Sequence, residues 1–141
     1  MSGGQTPDNT SNRFNVSSGG PLEATVGYSR AVRVGDHVAV AGTTTLHPGG
    51  VDHPGDCYRQ AQAVLRIIRD ALHEAGASLN DVVRTRAFLT DISKAEEYGR
   101  AHGEVFGDIR PAATLVEVSS LVHPDLVVEI EVDAIVSSSR A

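Results

Sequence analysis

Residues 126–136 read LVVEIEVDAIV, and the alternation in them is unbroken: Val128, Ile130, Val132 and Ala134 interleave with Glu129, Glu131 and Asp133. A strand turns successive side chains to opposite faces, so this segment has one apolar face and one carboxylate face. It must lie in a sheet that is covered on one side only. Two helical patterns supply the cover. Over residues 56–75, Ala61, Val64, Leu65, Ile68, Leu72 and Ala75 recur at helical spacing and form one stripe, with Arg59, Arg66, Arg69, Asp70 and Glu74 mostly off it. Asp56 suits the N-cap of that helix and Gly76 its stop. A second helix is expected to open at Ser93-Lys94-Ala95-Glu96, read as a capping box, and to run to about Phe106.

The remaining apolar runs are strands. RAVRV (30–34) and HVAVAGT (37–43) flank Gly35-Asp36, a two-residue hairpin turn. Residues 82–90 and 112–118 are two further β-rich runs, and 43–55 is a loop marked by Pro48-Gly49-Gly50 and Pro54-Gly55. The order is β-β-α-β-α-β-β. This predicts an α+β fold, a single mixed sheet with two helices packed on one face. The other face would be left uncovered; an aliphatic sheet face left bare is a large exposed patch, and such patches are usually interfaces, so the chain is expected to self-associate. Residues 1–20, rich in Gly, Ser, Asn and Thr, read as a flexible tail, 21–137 as the domain and 138–141 as a C-terminal tail.

Composition narrows the function. Net charge is −6 and the twelve Lys and Arg are scattered among acids, which disfavours nonspecific nucleic-acid binding and a polybasic membrane segment. No apolar run approaches the length of a membrane helix, and the N-terminus has neither the basic start nor the apolar stretch of a secretory signal. Cys57 is the single cysteine, which suits a reducing compartment, so a cytoplasmic location is expected. The six histidines, His37, His47, His53, His73, His102 and His123, form no HxH or HExxH pair, and no GxGxxG, P-loop or GxSxG motif is present. Neither a metal nor an organic cofactor is expected.

Several residues could carry chemistry. Glu129, Glu131 and Asp133 form either a solvated strand face or a set from which one acid, raised in pKa by burial, works on a water in a cleft. Arg84 and Arg86 are read as partners for those acids across the sheet. Tyr28 and Arg30 share a face if extended, and an Arg beside a phenol suits either a surface pair or a carboxylate clamp. Tyr98 and His102, four apart on a helix, touch either as a packing pair or as a proton relay. Cys57 at a helix start is read as inert for want of a neighbouring base.

Three ordered segments, GYSRAVRVGDHVAVAG, GASLNDVVRTRAFLTDI and RPAATLVEVSSLVHPDLVVEIEVDAI, resemble the RidA/YjgF family of reactive-intermediate deaminases, also labelled endoribonuclease L-PSP. The resemblance runs from Gly27 to Val136, about four-fifths of the chain. It implies a chorismate-mutase-like fold assembled as a homotrimeric barrel, with a small-molecule ligand in clefts between subunits. It also implies cofactor-free hydrolysis of imines or enamines to carbonyl compounds and ammonia. On the family's pattern the cleft tyrosine falls on Tyr28 and the last-strand acid on Glu129. The family's serine before a glycine falls on Ala41, and its helix-two asparagine on Gly99. Its substrate-binding arginine falls on Ala113 and the cysteine two residues later on Leu115. Without the arginine, the anchor is expected to pass to Arg30, with Arg100 as second choice. The alternatives are a trimer that binds a metabolite without turnover and, third, an endoribonuclease or translation inhibitor, which the acidic charge disfavours.

Overall fold

The computed structural model describes residues 12–137. Strands β1 (Arg13–Val16), β2 (Ala31–Val34), β3 (His37–Thr43), β6 (Val82–Leu89), β7 (Ala112–Glu117) and β8 (Val128–Ile135) form one sheet in the order β1-β2-β3-β8-β6-β7. All pairs are antiparallel except β6 with β7. Helices α1 (Cys57–Glu74) and α2 (Ala95–Phe106) pack together over one face. The fold is the mixed α+β sheet with two helices that the alternation pattern predicts.

The β8 pattern is the reason. Val128, Ile130, Val132 and Ala134 are essentially inaccessible, and they meet the α1 stripe of Ala61, Val64, Leu65, Ile68 and Leu72. Asp56 caps α1 by accepting the Arg59 amide at 3.0 Å, and Gly76 follows the helix at φ +80°, where a side chain would be strained. Gln60, fully buried within α1, donates to the carbonyls of His53 and Asp125 and accepts from the Val127 amide. One side chain thereby ties the loop before α1 to the entry of β8.

Four local expectations change. Residues 13–16 form strand β1 against β2, with Val16 buried in the core, so the part of the 1–20 segment within the described residues is not a loose tail. Residues 1–11 and the 138–141 tail lie outside the described residues. The loop over 43–55 contains a small hairpin, β4 (Leu46–His47) with β5 (Gly50–Val51). Ser93 does not form a capping box; its amide and hydroxyl both donate to Asp91, which opens a short 3-10 turn ahead of α2. The bare face is not mainly aliphatic either. It carries Glu129, Glu131 and Asp133, with Arg86 donating to Glu131 at 2.8 Å and to Asp133 at 3.5 Å.

If β1 is part of the fold, Val16→Ala will lower stability by about 1.5–3 kcal/mol through lost burial and a residual cavity. Urea denaturation at fixed protein concentration measures this, and a change near zero would return the segment to a loose tail.

Candidate functional site

Position 30 lies just before β2, where its backbone carbonyl accepts from the Ala41 amide at 2.9 Å. This pairing aligns the residue with the end of β3. Its guanidinium runs along that end, with Nη1 donating to the Gly42 carbonyl at 2.9 Å and to Thr43 Oγ1 at 3.0 Å. Nη2 donates to the Tyr28 hydroxyl at 3.3 Å and lies 3.7 Å from Glu23, while Nε donates to Ser18 Oγ at 3.3 Å. Four hydrogen bonds and an ion pair thus tie the fork within the chain. Arg30 and Glu23 are both buried. Burial alone would push the Glu23 carboxyl up, but hydrogen bonds from Ser18, Gly20 and Ser17 together hold it below the ordinary range.

Glu129 stands at the entry of β8, half-buried. A Cβ on Gly42 would come within 3.0 Å of the Glu129 carboxyl carbon and closer to one oxygen, so the acid lies directly on the Gly42 backbone and a side chain there would have to turn it aside. Burial first, and then the neighbouring Glu131, push its carboxyl above the ordinary 4.5, with Arg30 pulling the other way. The three acids of β8 therefore differ. Glu131 and Asp133 share Arg86, whereas Glu129 has no ion pair among the described residues.

Tyr28, Arg30, Ala41 and Glu129 form one connected group around Gly42. Tyr28 is exposed, and Arg30 lies 5.5 Å from its ring centroid. Beside it, an open concavity of about 660 Å³ on the bare face is lined by Tyr28, Ala41, Ala39, Glu131 and Asp133. Gly99, Ala113 and Leu115 are not part of that group. Ala113 is exposed on the edge strand β7, Leu115 packs on the core margin, and Gly99 is exposed on α2 with open space where a side chain would project. Strands β2 and β7 are four positions apart in the sheet, about 19 Å.

The two cations expected as anchors are both engaged. Arg30 is held as described, and Arg100 stacks on the Tyr58 ring at 3.8 Å. Tyr98 and His102 do touch, with ring centroids 5.5 Å apart, and His102 Nε2 lies 3.0 Å from Thr85 Oγ1. Burial pushes the Cys57 thiol to about 11, which leaves it unreactive. Among the described residues no group of three or more His, Cys, Asp or Glu could hold a metal, and no helix is long and apolar enough to cross a membrane. Glu23 is the participant that sequence reasoning missed. The available signal was Ser17-Ser18-Gly19-Gly20 shortly before a glutamate, a run of hydroxyls and amides suited to holding a carboxylate.

The family description "Endoribonuclease L-PSP" matches residues 20–136. The chain belongs to this family, which is the RidA/YjgF family. A crystal structure from Mycobacterium tuberculosis, a member of the YjgF/YER057c/UK114 family, superposes with a TM-score of 0.81 at 51% identity, over 88% of this chain and 99% of that one. A RutC family protein of Pyrococcus abyssi is 39% identical over 74% of this chain and 82% of its own. The 3-aminoacrylate deaminase RutC of Acinetobacter baylyi is 36% identical over 73% of this chain and 82% of its own.

Two outcomes test this geometry. Arg30→Met leaves the Gly42 carbonyl, Thr43 Oγ1 and Ser18 Oγ without their donor and will cost about 1–3 kcal/mol in urea denaturation, whereas a change near zero would mean that the guanidinium does not brace the end of β3. For Glu129, a carboxyl raised in the fold contributes stability below 4.5 and loses it as pH rises through the raised value. Glu129→Gln will therefore be more heat-stable than the native chain at neutral pH, and the gap will close on acidification. A gap independent of pH would mean that Glu129 titrates normally.

Proposed function

We propose that this RidA/YjgF-family chain assembles as a homotrimer and binds a small imine, enamine or related carbonyl compound in a cleft between subunits, where Glu129 acts as acid and base on a hydrolytic water. The observation that carries this reading is the state of Glu129. It is the one acid of β8 without an ion pair among the described residues, half-buried against the Gly42 backbone and raised in pKa by that burial, which favours its protonated form relative to an ordinary carboxyl. Tyr28 stands at the mouth of the group with its hydroxyl fixed by Arg30. The named activity of the Acinetobacter relative, deamination of 3-aminoacrylate, supports the same reaction class.

The trimer has its own support. Positions mapped to one family cleft, Tyr28 and Glu129 on one side and Gly99 and Ala113 on the other, lie on separate regions of a single chain. They share a cleft only if two copies meet. The exposed edge of β7 and the charged bare face are surfaces available for that meeting.

In the proposed hydrolysis the water oxygen attacks the imine carbon while Glu129 accepts a water proton. Glu129 passes that proton to the nitrogen, giving a carbinolamine; it then takes the carbinolamine hydroxyl proton and delivers it to the nitrogen as the C–N bond breaks, so ammonia leaves and a carbonyl remains. A second reading, binding without turnover, is favoured by Ala113, which offers no charge where the family's arginine would hold a carboxylate. RNA cleavage is the weakest of the three, because Arg30, Arg86 and Arg100 are each bound within the chain and net charge is −6.

Freshly generated 2-iminopropionate and its neutral amide, assayed for ammonia release, will show turnover that falls at least about 100-fold in Glu129→Gln. The native rate will rise with pH along a limb set by the raised Glu129 carboxyl. Turnover unchanged in Glu129→Gln would sink the assignment, and tight binding with no ammonia released would favour the second reading.

A further inference from the structure

Position 113 is occupied by a methyl group, and what stands beside it is on the same side of the sheet. Ala113 and Thr85 are partners in register across β6 and β7, so both project toward the helices. Thr85 is fully buried, and its hydroxyl lies 3.0 Å from His102 Nε2. His102 is only partly buried, and its Nδ1 has no hydrogen-bond partner among the described residues. Gly99 lies one turn before His102 on α2, and the space over Gly99 is empty. Ala113 is therefore the neighbour of the residue that holds His102, and Gly99 leaves the adjoining turn of α2 bare.

Resting on the cleft reading above, we propose that His102 is a ligand-binding residue of that cleft, reached across Gly99 and Ala113, and that it selects a neutral carbonyl or imine ligand over a carboxylate. The ring is held firmly enough to be specific. It packs between Tyr98, at 5.5 Å, and Phe106, at 4.8 Å, and Thr85 fixes one nitrogen. The other nitrogen is left for a ligand. Burial depresses the His102 pKa, so near neutral pH the ring is an uncharged imidazole that can donate or accept one hydrogen bond. A carboxylate placed against it would lose water on meeting an uncharged, partly buried ring that offers at most one hydrogen bond. A carbonyl oxygen or imine nitrogen carries no such penalty. The Tyr98 hydroxyl is buried beside Thr85 and adds a further polar atom to the cluster.

Pyruvamide and pyruvate are a matched pair of probes, nearly equal in size and different in charge. Titrated at pH 7 into the full-length protein with NMR detection, pyruvamide is expected to shift the His102 ring signals together with the Gly42 and Tyr28 amides, and to bind at least tenfold more tightly than pyruvate. His102→Phe keeps the ring stack and will weaken pyruvamide at least tenfold. Ala113→Leu, a change at an exposed position that leaves the histidine in place but covers it, will do the same. Shifts at Gly42 and Tyr28 without His102, pyruvate binding as tightly as pyruvamide, or unchanged affinity in both variants overturns the role of His102 and leaves the cleft standing. Shifts at none of the three residues overturns both.

Discussion

The pairing of β8 between β3 and β6 is the constraint on which the rest depends. It joins the strands contributed by the first part of the chain to the parallel β6–β7 pair, and its apolar face is the floor on which α1 lies. The same strand, by the period of two, must present Glu129, Glu131 and Asp133 to the opposite side. The core and the acidic face are therefore one decision made by one segment. A one-residue slip of β8 would put three carboxylates beneath α1, which makes the register costly to violate and fixes where Glu129 stands.

Position alone does not make the three acids equivalent. Arg86 is registered opposite Glu131 and reaches Asp133 as well, so those two carboxylates are balanced across the strand pair. Glu129 is registered opposite Phe88, which offers nothing to a charge. It is pressed onto Gly42, and its nearest cation, Arg30, is already shared among Glu23, Tyr28 and the end of β3. A carboxylate that is desolvated but unpaired is under pressure to take up a proton. This pressure, rather than a special side chain, separates an acid suited to chemistry from two that serve the sheet.

How much of this was legible in the sequence follows from the range of the interactions. The β8 alternation, the α1 stripe with Asp56 and Gly76, and the Gly35-Asp36 turn are set by residues a few positions apart, and each appears where the pattern puts it. Of Arg84 and Arg86, both read as partners for the β8 acids, Arg86 pairs with Glu131 and Asp133, whereas no ion pair joins Arg84 to them among the described residues. What was not legible depends on distant contacts. Strand β1 has only Phe14 and Val16 as apolar residues and forms because β2 offers it a ladder. Arg30 looked like a free clamp because Glu23 and Ser18, seven and twelve positions earlier, lie in a segment that carried no strong pattern. Ser93 had the spacing of a capping box, yet its amide and hydroxyl both donate to Asp91, two residues earlier, which starts the turn there instead.

The positions that depart from the family's cleft residues are informative because of where they sit. Gly99 and Ala113 are exposed and touch no part of the buried core. Neither a missing amide at 99 nor a missing guanidinium at 113 would disturb the packing of α1 against β8, so the fold places no restraint on those side chains. Glu129 is different, since the strand alternation fixes the face of the sheet on which it stands. Its place is therefore set by the register that builds the core, while α2 and the edge strand β7 leave positions 99 and 113 open to substitution.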